Sequence, residues 1–72
     1  MDRDMFYDYI VRVMVLIVSY ETGHRAICPF RGIIEDFIGQ LGISNDIEAE
    51  EIPEIINRAE MLAEEIVRDS KG

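Results

Sequence analysis

Residues 10–28 read IVRVMVLIVSYETGHRAIC, and two folds compete for them. Six of the nine residues 10–18 are β-branched, which suits a strand. Gly23 would then sit in a hairpin turn at 21–24, with residues 25–28 as the return strand. The polar residues argue for a helix. At 100° per residue, Asp4, Asp8, Arg12 and Ser19 fall in one narrow stripe. Asp8 and Arg12 stand at the i,i+4 spacing of a helical ion pair, and Gly23 suits the C′ position of a helix over 2–22. A two-stranded hairpin also needs a third strand to be stable, and no other segment reads as one. The expected fold is therefore all-α: a small three-helix bundle, with room for one further short helix. The alternative is α+β, an N-terminal β-hairpin followed by two helices.

The flanking segments are plainer. Phe30, Ile33, Ile34, Phe37, Ile38 and Leu41 recur at helical spacing and predict an amphipathic helix over 29–41, opened by Pro29 and stopped by Gly42. Gly32 and Gly39 lie opposite that stripe, where they either weaken the helix or admit another backbone. From Ile52 onward, Ile55, Ile56, Ala59, Leu62, Ala63 and Ile66 form a second stripe within 46–70. Pro53 opens this helix and Met61 falls on its polar face, while residues 46–51 can form a short separate turn with Ser44 or Asp46 as its N-cap.

Composition bounds the chemistry. A chain of 72 residues makes one domain, 1–72. At this size folding buries only ~60% of the unfolded surface, so good packing or self-association must stabilise it. One Cys and one His allow no internal disulfide and no thiolate–imidazole zinc site, and no cofactor or metal motif is present. Fifteen acidic against seven basic residues argue against direct nucleic-acid binding. The Leu41–Ser44 turn resembles that of a helix-turn-helix, but the helix after it would present Glu48, Glu50 and Glu51 to phosphates. Asp2, Asp4 and Asp8 stand where a signal peptide needs positive charge, and Arg12 interrupts the apolar run, so a soluble, cytoplasmic protein is expected.

Three surfaces are candidate sites. Apolar residues cover an arc of about 200° on the first helix, against ~100° for an ordinary surface helix. Two short partner helices leave part of that arc over, which predicts a homodimer through Tyr7, Val11, Met14 and Val18. His24, Arg25, Cys28 and Arg31 form a basic loop around the single thiol, the arrangement a reactive cysteine or an anion site would use. Residues 43–72 carry 9 acidic and 3 basic side chains. Glu50, Glu51, Glu54, Glu64 and Glu65 could there dock a basic protein partner. The functional expectation is a non-catalytic, homo-oligomeric protein–protein interaction module. The alternatives are an acidic regulator that occupies a basic, nucleic-acid-binding protein surface, and a thiol-dependent enzyme or redox sensor using Cys28. No serine–histidine–acid motif supports a hydrolase.

Overall fold

Asp2 starts the first helix: its carboxylate accepts a hydrogen bond from the Met5 N–H at 2.8 Å. The structure, a computed structural model, describes residues 2–71, the side chain of Lys71 excepted. Helix α1 spans Arg3–His24, α2 spans Arg31–Ser44, a 3-10 turn spans Ala49–Glu51 and α3 spans Ile52–Lys71. No strand occurs among the described residues, so the hairpin reading of 10–28 is excluded. The balance of energies explains why. Val and Ile give up at most ~0.7 kcal/mol each in helix propensity, whereas burying one is worth ~1.5–3 kcal/mol. Ile10, Val11, Ile17 and Val18 are all buried. Asp8 and Arg12 form the expected pair at 3.1 Å.

The helix ends differ from the sequence reading. Helix α1 runs through Gly23, and Arg25 takes the left-handed capping position with φ 53°. A left-handed conformation costs an L-residue ~1–2 kcal/mol, and glycine avoids that strain. Arg25→Gly is therefore expected to stabilise the protein by about 1 kcal/mol after its own entropic cost, seen as a higher urea midpoint at unchanged slope. Helix α2 starts later than Pro29 and continues past Gly42. The chain turns instead at Asn45 and Asp46: the Asn45 side-chain amide donates to the Leu41 carbonyl at 2.8 Å, and Asp46 has φ 63°. The Ile47 N–H donates back to the Gly42 carbonyl at 3.0 Å. Neither Ser44 nor Asp46 caps the short turn, whose N-cap position is held by Glu48 without a side-chain hydrogen bond; the turn leads into α3, with Pro53 in its first turn where no N–H is needed.

The helices run up, down, up. Arg3 meets Glu51 at 2.9 Å at one end, and Val18, Thr22, Val67 and Arg68 border one recess toward the other, so α1 and α3 are parallel. Arg3 holds the Glu51 carboxyl below the usual carboxylate range through its hydrogen bond and its charge, against an opposing desolvation effect. Helix α2 returns antiparallel to both, with Gly42 beside Phe6 and Ile52. Ala59 and Ala63 are wholly buried, and their small side chains let α1 come close to α3, its main partner. Phe6, Ile10, Met14 and Ile38 are the largest fully buried side chains. A Cβ on Gly32 or Gly39 would meet nothing within 4 Å, so no other backbone of the chain approaches either glycine.

Candidate functional site

The 200° arc of α1 is divided unequally. Val11, Met14 and Val18 lie in the intrachain core, and Tyr7 packs half-buried against it. Tyr7 and Val18 border recesses shared with α3. The flank expected to bind a second chain is thus covered by α3 of the same chain, which α1 meets more extensively than it meets α2. The uncovered flank is the other one. Met5, Tyr9, Leu16 and Tyr20 are exposed there, Leu16 by 72%, and Val13 is half-buried beside them. At 100° per residue Leu16 points about 160° away from Val18.

Helix α2 extends this face. Ile34, Ile38 and Leu41 turn into the core, while Phe30, Ile33 and Phe37 stay 62%, 69% and 60% exposed. Tyr9 and Val13 of α1 and Ile33, Ile34, Phe37 and Ile38 of α2 line an open cleft of about 280 Å³. The packing explains the opening. Helix α2 is anchored at its C-terminal end, where Gly42 lets it approach Phe6, and at its N-terminal end through Arg31, but it touches α1 little between. Tyr9 and Tyr20 are 40% and 38% exposed. Fully buried aromatic side chains cover ~150–250 Å² each, so the exposed portions of Tyr9, Tyr20, Phe30 and Phe37 alone amount to roughly 300–500 Å². With Met5, Leu16 and Ile33 added, the face exceeds what soluble monomers ordinarily leave open.

A sequence signal for this face existed. Met5, Tyr9, Val13, Leu16 and Tyr20 recur at i, i+4, i+8, i+11, i+15. Tyr9 and Tyr20 keep contact with water, as a phenol hydroxyl does where an aliphatic core supplies no partner, but Tyr7 lies half-buried on the covered flank, so tyrosine alone does not mark the open side.

The basic loop is built for a different purpose. The Arg31 guanidinium meets Glu21 of α1 at 3.0 Å, Glu35 of α2 at 3.8 Å and, in a close ion pair, Glu60 of α3. Burial works to lower the Arg31 pKa, but the bonds and charges of Glu60 and Glu21 more than offset it and hold the value above the ordinary one. The second Glu21 oxygen accepts the Cys28 N–H at 3.0 Å. The charge expected to serve an external anion or a thiolate is therefore engaged by three internal carboxylates. His24 turns away from Cys28: its ring stacks on Tyr20 at 3.9 Å between centroids, and Nδ1 lies 3.0 Å from the Tyr20 carbonyl. Arg25 is exposed at the helix cap, and the Cys28 thiol is buried. The loop brings the four predicted residues near one another in sequence without aiming them at one point.

The acidic candidates also divide. Glu54, Glu64 and Glu65 are exposed on the outer face of α3, where Arg58 and Arg68 interleave with them; Glu54 and Arg58 are 3.7 Å apart. Glu50 is exposed in the 3-10 turn, and Glu51 is turned to Arg3. Among the described residues no three of His, Cys, Asp and Glu gather as metal ligands would, and no helix is long and apolar enough to cross a membrane. No protein-family model, curated protein or solved structure matches the chain.

Proposed function

We propose that the protein is a protein–protein interaction module whose working surface is the apolar face shared by α1 and α2. The observation that carries this reading is that face itself: Leu16, Ile33 and Phe37 stand open to solvent, 72%, 69% and 60% exposed. Burying a Leu, Ile or Phe is worth ~1.5–3 kcal/mol. A fold that leaves a contiguous set outside forgoes that stabilisation, and contact with another protein recovers it. The solvated, charge-mixed outer face of α3 offers weaker grounds, since exposed charges in interleaved signs attract little.

The reading is tested with a photo-activatable residue placed at Leu16 and, as a control, at Glu65 on the outer face of α3. Protein adducts are expected from position 16, mapped by mass spectrometry to a defined surface and lost when Phe37→Glu is added. Equal or greater yields from position 65, or none from position 16, would refute it.

A further inference from the structure

We infer that the occupant of the α1–α2 face is a second copy of this chain, bound about a two-fold axis with the two α1 helices antiparallel. This rests on the interaction-surface reading above and specifies its partner.

Area is the first argument. The accessible surface is 5170 Å². A compact monomer of 8.3 kDa would expose about 4,600 Å² by the general mass scaling. The excess is of the same order as the ~800 Å² that one partner buries in a standard interface, and seven of the twelve large hydrophobic side chains exposed among the described residues lie on this face.

Charge is the second argument. Most of the net charge of −8 belongs to residues 43–72, and Glu54, Glu64 and Glu65 sit on the outer face of α3. Because α3 covers the Val11–Val18 flank of α1, it stands on the far side of α1 from Leu16. Two copies meeting through Leu16 therefore place their α3 helices outermost and their acidic faces farthest apart. On the α1 side of the open face Asp8 is paired with Arg12, and on the α2 side Asp36 adds one exposed acidic group. An acidic chain would repel a copy of itself less through this face than through the acidic face of α3.

The direction of α1 follows from its ends. Asp2 and Asp4 lie at the N-terminal end, where Arg3 is paired with Glu51, and His24 and Arg25 lie at the C-terminal end, where Glu21 is paired with Arg31. Antiparallel pairing sets the acidic end of each α1 against the basic end of the other and opposes the two helix dipoles. The stripe is itself suited to this arrangement. Over a length of ~22 Å, Met5 faces Tyr20 of the second copy, Tyr9 faces Leu16, and Val13 lies next to the axis.

Light scattering on the purified chain, across a dilution series with reductant, is expected to show two chains dissociating to one. Leu16→Glu with Phe37→Glu should give one chain at every concentration with unchanged helicity, since both side chains are already exposed. Direction is read by cysteine cross-linking in a Cys28→Ser background. A mixture of Met5→Cys and Tyr20→Cys chains should cross-link under mild oxidation, and Met5→Cys alone should not; the reverse pattern would overturn the antiparallel arrangement. A one-chain mass throughout would overturn self-association. If position 16 then cross-links specifically to a different protein, the interaction surface stands and its occupant is foreign. If it cross-links to nothing, both readings fall together.

Discussion

Arg31→Met should cost the fold about 2–3 kcal/mol, a large part of the ~4–11 kcal/mol expected for a domain of this size. The Arg31 side chain is 22% exposed, and those of Glu21 and Glu60 nearly as little, so this is not a screened surface pair. Removing the guanidinium leaves Glu21, Glu35 and Glu60 with like charges converging from three helices. It also loosens Glu21, which holds the Cys28 N–H and with it the entry into α2. Urea unfolding at neutral pH measures the loss. Two controls separate charge from packing. Arg31→Lys should recover only part of the stability, because an ammonium cannot fork to several carboxylates as a guanidinium does. Raising the salt concentration should narrow the gap between Arg31→Met and the parent, as screening weakens the repulsion among the carboxylates left without a partner. A loss below about 0.5 kcal/mol would show that the network contributes no more than an ordinary exposed ion pair.

The same residues show how far the sequence could be read. The three helices were legible because their polar residues fall in stripes. Asp4, Asp8, Arg12 and Ser19 outweighed the β-branched run of residues 10–18, and burial of Ile10, Val11, Ile17 and Val18 is why they could. Helix ends were less legible. Gly23 and Gly42 are good stops by type, yet the left-handed position fell to Arg25, and Gly42 was needed inside α2 for contact with Phe6. Such a choice depends on where the next helix lies, which local spacing does not encode. The excess apolar arc of α1 was visible from the wheel, but its covered side was not. Which flank meets α3 depends on the packing of three helices at once: Ala59 and Ala63 are wholly buried on α3, and Arg31 reaches Glu21 and Glu60 from the start of α2. The basic loop was recognisable as a cluster, but its purpose depended on carboxylates at positions 21, 35 and 60 that only the fold brings to Arg31.

Phe6→Ala should be the most damaging single truncation in α1, at about 3–5 kcal/mol, because the ring is fully buried and its removal leaves a cavity. Gly42→Leu should also destabilise, by about 1–3 kcal/mol, despite the ~1 kcal/mol that glycine costs a helix interior. A Cβ at position 42 would lie 3.0 Å from Phe6 Cζ and 3.0 Å from Ile52 Cδ1, so a full side chain must displace the ring that seats α2 on α1. The two changes are therefore coupled. In the double variant the leucine enters space the ring has vacated, and its cost should be smaller than the sum of the single costs by at least about 1 kcal/mol. Strict additivity in the thermodynamic cycle would mean that Gly42 does not rest on Phe6. The contact matters beyond stability. Phe6 and Gly42 fix one end of α2 and Arg31 fixes the other, and between these anchors α2 stands off α1 and leaves the Tyr9–Phe37 cleft open. Gly42→Leu should tilt α2 at its C-terminal end and alter that cleft. The single variant is accordingly expected to weaken the proposed self-association by more than its loss of stability accounts for, measured by light scattering at a temperature where it remains fully folded.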